Sequence, residues 1–319
     1  MLVVGIDEAG LGAAVGPLVI AAFGLSIPGR TPDQTGWGLL APLLTQKPDH
    51  TGAHLHVADS KLLSSRPDGH RLLERAALAA IANLPQAPAP ACTTDLLQPL
   101  CPHAITDIQH CPWYGHDIPL PAWNDPASLQ LATALLHRAA QRVGAALGPI
   151  HAEILTEPVF NQWIHRRVNK ANLVWQTTAR LVVLAADAGA DWIVLDRQGG
   201  RQYYLERLRP ILPATDWHIL REEDGLAEYT CRLQPQARML TIRIQQAAES
   251  RWLEVAWASI FAKYTRELLM HRIARFSRDL CPDVPATAGY HPDGIRWLNA
   301  ITPRLLDHGV NAEQIRRVK

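Results

Sequence analysis

The chain has 319 residues, 31 Lys and Arg against 30 Asp and Glu, and a formal net charge of +1, a balance that neither requires nor excludes a polyanionic partner. Its 48% hydrophobic content supports a substantial core and excludes wholesale disorder, and no apolar run reaches the ~18 residues that span a bilayer. Five Cys, an odd number at irregular spacing, do not describe a secreted disulfide framework. Met1 leads straight into an apolar run, without the basic and apolar regions of a signal peptide, so a cytoplasmic protein is expected.

The first element is a hairpin. Residues 2–6 are apolar, Asp7 and Glu8 stand where that run stops, Ala9-Gly10 and Gly12 supply a turn, and residues 17–25 form a second apolar run. Adjacent carboxylates repel, so a fold rarely keeps such a pair at the end of a buried strand unless a cation or a proton offsets the charge. Residues 26–55, rich in Pro, Gly and Thr, read as a connection with a short helix near 38–44. Asp59-Ser60 starts a helix or turn with Lys61 beside it, and residues 71–83 are a run of good helix formers.

Residues 84–126 are Pro-dense and carry Cys92, Cys101, His103, His110, Cys111 and His116, so they read as an insertion loop. A zinc site is one reading of those ligands, although they match no paired Cys or His spacing; scattered loop residues are the other. Residues 128–147 are an amphipathic helix, 152–156 a strand, and 172–188 a helix stopped by Gly189. A short strand, 192–195, ends at Asp196, where an acid again precedes a Gly-rich turn. Strands are expected at 217–220, 228–233 and 239–244, followed by the longest helical pattern, 247–276, with Glu249 in its first turn. A turn at 289–293 and a helix at 294–306 close the chain.

Strands alternating with helices, with acids at strand ends, describe an α/β sheet whose site lies at the carboxyl edges of its strands. Asp7, Glu8, Asp196 and Glu249 can converge there. Four carboxylates without His or Cys suit hard divalent cations, Mg2+ or Mn2+, and two such ions ~4 Å apart promote in-line phosphodiester hydrolysis. Gly10-Leu-Gly12-Ala-Ala-Val-Gly16 also has the look of a dinucleotide-binding loop, but its third Gly is one residue late and a strand pattern, not a helix, follows.

Gly5-Ile-Asp-Glu-Ala-Gly10, Asp59-Ser-Lys61, Glu249-Ser-Arg251 leading to Ala258-Ser-Ile-Phe-Ala-Lys-Tyr-Thr-Arg-Glu267, and Gly289-Tyr290 resemble, in order and spacing, the ribonuclease HII family. That resemblance implies a ribonuclease H-like mixed sheet flanked by helices. The catalytic domain would span 1–277, with insertions at about 26–55 and 84–126, and a helical extension would cover 278–319. It implies an endoribonuclease that cleaves the RNA strand of RNA–DNA hybrids, or at ribonucleotides embedded in DNA, using two Mg2+ or Mn2+ ions held by Asp7, Glu8, Asp196 and Glu249. Glu249 stands where the family usually has Asp. The resemblance also implies substrate contacts from Gly10, Leu11, Gly12, Lys61, Lys263, Arg266 and Tyr290, with Lys61 on a phosphate, Lys263 and Arg266 on the backbone, and Tyr290 on a sugar. Leu11 replaces the family's Arg and supplies no charge or donor. The expected partner is hybrid or ribonucleotide-containing duplex, without membrane association, and the expected state is a monomer. The alternative is a hybrid-binding protein of the same fold with weak or lost cleavage.

Overall fold

The computed structural model describes residues 1–31, 34–41, 43–47, 53–85 and 88–318, so parts of both expected insertions and residue 319 lie outside the described residues. In chain order the first elements are β1 (Leu2–Ala9), β2 (Leu18–Ser26), α1 (Gly36–Leu40), the short strands β3 (Leu44–Thr45) and β4 (Leu55–His56), α2 (Ser60–Ser64) and α3 (Gly69–Ile81). Then come α4 (Thr93–Leu100), α5 (Ile105–Gln109), α6 (Pro126–Val143), β5 (Ala146–Leu155), α7 (Glu157–His165), α8 (Lys170–Asp187), β6 (Trp192–Asp196) and α9 (Leu205–Leu208). A meander of β7 (Ala214–Glu223), β8 (Leu226–Leu233) and β9 (Arg238–Gln245) leads to α10 (Leu253–Leu280), α11 (Asp293–Leu305) and α12 (Ala312–Ile315).

The fold is the mixed α/β sheet flanked by helices expected from the sequence. Seven strands lie in the order β5-β2-β1-β6-β9-β8-β7, with β1 antiparallel to β2 and parallel to β6, and β6 parallel to β9. The unbroken apolar runs of β1 and β2 place them centrally, since such strands need cover on both faces. Alternation then divides β2 between two cores: Val19, Ala21, Phe23 and Leu25 face the one built on α3, α6, α10 and α11, while Leu18, Ile20 and Ala22 face the one built on α7 and α8. Phe23 stacks on Trp257 of α10 at 5.2 Å between ring centroids.

Helix α10 is buried nearly all round and crosses β1 at Gly5. A Cβ on Gly5 would lie 2.2 Å from the carbonyl carbon of Glu254, so only glycine lets the helix approach the strand two residues before Asp7. Among the described residues no helix is long and apolar enough to cross a membrane.

Two expectations are corrected. The segment 84–126 is not a loop: its Leu96, Leu97, Leu100, Ala104, Ile108, Trp113 and Tyr114 recur at helical spacings, and short helices bury them in the main core. Its Cys101 and Cys111 are buried thiols that donate to the carbonyls of Leu97 (3.1 Å) and Asp107 (3.2 Å), and burial pushes both up to about 12. The second correction concerns Glu249. The pattern at 247–276 is broken, because Ala247 takes a left-handed conformation, Ala248–Ser250 form a separate 3-10 turn, and α10 starts only at Leu253.

Candidate active site

The parallel register of β1 and β6 pairs Ile6 with Leu195, so one step further along each strand Asp7 and Asp196 emerge side by side, ~4.8 Å apart in backbone spacing. Alternation sends Asp7 toward α10, where Ser259 hydrogen-bonds its carboxylate, and sends Glu8 toward the opposite face of the sheet edge. The Asp7 carboxylate also accepts the Glu8 N–H at 2.8 Å. Asp196 accepts the N–H of Ala248 at 3.0 Å, which ties the end of β6 to the turn that carries Glu249. Helix α2 closes the site from the side. Asp59 caps it by accepting the Lys61 N–H at 2.8 Å, and Ser60 holds its hydroxyl 2.9 Å from that of Ser259.

The carboxylates share one electrostatic field. Burial, then the charges of Glu8 and Asp196, hold Asp7 well above the usual carboxylate range. Burial, then Asp196 and Glu249, raise Glu8 to about 7 against the opposing pull of Lys61. Asp196 and Glu249 are raised too, chiefly by burial, with like charge from Asp59 on both. Partial burial alone would lower Lys61, but Asp59, Asp7, Glu249 and Asp196 outweigh it and raise the ammonium above its ordinary value. The fold therefore brings together four acids and one lysine from four distant segments.

All donors here are hard oxygens, the chemistry that Mg2+ and Mn2+ prefer. The Oε2 of Glu249 is buried without a hydrogen-bond partner, so a donor is left over for a cation. The acids are not closed into a ligand sphere: among the described residues no three His, Cys, Asp or Glu stand in metal-holding geometry. Asp7 and Asp196 are each turned to local N–H or hydroxyl donors instead.

The turn after β1 is held by buried charged side chains from remote parts of the chain. Glu157 at the start of α7 accepts the Gly16 N–H at 2.9 Å, the Trp113 indole N–H at 3.1 Å and the Tyr114 hydroxyl at 2.9 Å. Arg317 donates to the carbonyls of Gly10 and Leu11, and its own backbone N–H reaches Ala14 O at 2.8 Å. Gly10 has φ +90°, and a Cβ there would lie 2.6 Å from Arg266 Nε, so the turn requires glycine. Gly12 is exposed with open space around it, and the Leu11 side chain packs against the second core.

The expected backbone contact of Arg266 is corrected. Arg266 is 0% exposed; its guanidinium donates to Ala288 O at 2.9 Å and Val15 O at 3.4 Å and pairs with Glu267 at 3.3 Å. It binds the protein's own turns and cannot reach a phosphate. Lys263 keeps some exposure and lies 2.8 Å from Glu267 and 5.7 Å from the centre of the Tyr290 ring. The Arg266 guanidinium lies 4.7 Å from the same ring, so two cations back Tyr290, which keeps 36% exposure.

Asp59, Ser259, Glu157 and Arg317 were not picked out as site residues from the sequence. Asp59 was within reach of it, since it opens the same Asp59-Ser-Lys61 triplet that marks Lys61. Glu157 and Arg317 had no such signal, because their partners Gly16 and Gly10 are 141 and 307 residues away.

No protein-family model and no curated protein matches the chain. Among solved structures it is similar to a chain of the PCNA:RNase HII complex from Archaeoglobus fulgidus, at 12% identity and TM-score 0.43, over 100% of this chain and 95% of that one. It is similar to ribonuclease H2 from Pyrococcus horikoshii OT3 at 15% identity and TM-score 0.41, over 99% and 92%. Bst-RNase HIII in complex with Mn2+ is similar at 16% identity and TM-score 0.41, over 99% of this chain and 66% of that one. The likeness to ribonuclease HII and HIII structures thus runs the length of this chain, with few identical residues.

Proposed function

We propose that this chain is a divalent-cation-dependent endoribonuclease of the ribonuclease H type, acting on the RNA strand of RNA–DNA hybrids or at ribonucleotides embedded in DNA. The observation that carries this reading is the shared field of Asp7, Glu8, Asp196 and Glu249 at one sheet edge, with Lys61 beside it. Two further supports are the resemblance of the sequence motifs and the unpartnered Glu249 oxygen.

In this reading the four acids hold Mg2+ or Mn2+. When bound, such ions activate water and stabilise the leaving oxygen of a phosphodiester. Lys61, kept protonated by the neighbouring acids, holds a phosphate of the scissile strand as a point charge. The exposed backbone at Gly12 lets a sugar approach, and the ring of Tyr290, fixed from behind by Lys263 and Arg266, offers a face to it. Ser259 orients the Asp7 carboxylate. The products are a 5′-phosphate and a 3′-hydroxyl. The test is hydrolysis of a labelled hybrid, and of a duplex with one ribonucleotide, with Mn2+ or Mg2+. Cleavage that Asp7→Asn abolishes supports the reading, and intact substrates with both proteins overturn it.

A second reading, a hybrid-binding protein with weak or lost cleavage, draws on Leu11, whose side chain turns into the core and offers the substrate no polar group, and on Glu249 in place of a shorter Asp. Tight metal-independent binding without turnover distinguishes it.

A further inference from the structure

The end of α7 reads His165-Arg-Arg-Val-Asn-Lys170 and the C-terminal segment contains Arg316-Arg317, cationic runs in a chain whose total charge is only +1. The fold brings the two together. The Phe160 ring carries the Arg317 guanidinium at 3.9 Å and the Lys170 ammonium at 5.9 Å. Asn161 binds the C-terminal backbone, donating to Arg316 O at 2.7 Å and accepting the Val318 N–H at 2.9 Å. Between these segments lies a cavity of about 410 Å³ with His165, His291, Arg316 and Arg317 in its wall and Glu313 as its single acid.

This cavity adjoins the candidate active site at two points, since His291 follows Tyr290 and Arg317 holds Gly10 and Leu11. Its floor is short of negative charge. Arg317 is 4% exposed; its terminal nitrogens donate to the Gly10 and Leu11 carbonyls, and its Nε is buried without a partner. Burial lowers the guanidinium to about 10, with Glu157 only partly opposing this and Arg266 adding to it. A buried cation in that condition is stabilised by an anion that supplies both charge and acceptors. The rim residues His165, His291 and Arg316 are exposed, as an extended polyanion requires and an enclosed metabolite does not.

We propose that this cavity is a phosphate subsite for the nucleic-acid backbone, seating a phosphate of the strand that passes the Gly10–Gly12 turn. The proposal rests on the nucleic-acid reading above and adds a contact outside the acid cluster. Contacts of this kind position a duplex without reading its sequence.

The test uses the full-length chain carrying Asp7→Asn, so that labelled hybrid is bound without being cut, with binding followed by anisotropy across a range of KCl. Adding His165→Glu and Arg316→Glu, both at exposed positions, is expected to weaken binding roughly tenfold near 0.1 M salt. The slope of log Kd against log salt should flatten by about one, for hybrid and duplex DNA alike. Arg316→Lys alone should keep the parent slope, and unchanged melting temperatures exclude misfolding. A doubly substituted chain with the parent's affinity and slope overturns the subsite. If the unmodified chain cleaves hybrid while the slope is unmoved, only the subsite falls; if it neither binds nor cleaves hybrid, the functional reading falls with it.

Discussion

Two groups of charged side chains lie on either side of the turn after β1, and they handle charge in opposite ways. Around Glu267 the carboxylate is matched by partners within the protein: the His70 ring at 3.2 Å and the cations Lys263 at 2.8 Å and Arg266 at 3.3 Å. Burial would raise Glu267, but these partners outweigh it and bring it down to about 2. At the sheet edge Glu8 and Asp196 raise Asp7, Asp196 and Glu249 raise Glu8, and Asp196 raises Glu249, with Lys61 as the opposing charge on Glu8, Asp196 and Glu249. The first group is complete within the protein and serves structure. In the second, like charges crowd one another, a condition that a bound cation or a proton relieves, and the proposed function rests on it.

The largest effect that would break this contrast is at Asp7. Asp7→Asn should reduce hybrid cleavage at least about a thousandfold, ~4 kcal/mol in the barrier, and should raise the melting temperature of the metal-free chain by removing one of the crowded charges. Retained cleavage, or a lower melting temperature, would count against it. At Glu267 the sign reverses: Glu267→Gln strands Lys263 and Arg266 and should destabilise the fold by about 3 kcal/mol in chemical denaturation.

The two groups also predict opposite pH dependence. Glu8 has a folded value of about 7 against an ordinary 4.5, so the native state binds more protons between those values. The Glu8 contribution to metal-free stability should be full below about 4.5 and be lost as pH rises through about 7, on the order of 1 kcal/mol after solvent screening. Glu267, lowered from 4.5 to about 2, contributes stability above 4.5 that is lost as pH falls through about 2. Denaturation from pH 2 to 9 separates the two arms, and the upper arm should vanish when Mn2+ is added. The smallest effect expected is from Glu249→Asp, which shortens the side chain and should change cleavage by about threefold or less, ~0.7 kcal/mol.

Much of this contrast was legible in the sequence, and the rest was hidden for definable reasons. The hairpin is legible because unbroken apolar runs flank a small-residue turn, and α2 and α10 because motif residues fall on them. The segment 84–126 reads as a loop because prolines suggest loops, whereas Pro99 sits inside α4 and Pro102 and Pro112 open helical turns. Helix α7 leaves little trace in the sequence: its nine residues start one residue after β5 and give little periodicity to count. The break before α10 depends on one left-handed residue, Ala247, which no pattern of hydrophobicity reports. Arg266 could not be told from a substrate contact, because a buried and an exposed arginine in a motif look alike until the neighbouring turns are in place.

Calorimetric titration of Mn2+ into the full-length chain and its Asp7→Asn variant, above pH 7 where Glu8 is ionised, tests the central claim most directly. Saturable binding to the parent, with proton release and with loss in the variant, is the predicted result. Heats indistinguishable from dilution, or identical isotherms for the two proteins, would contradict it.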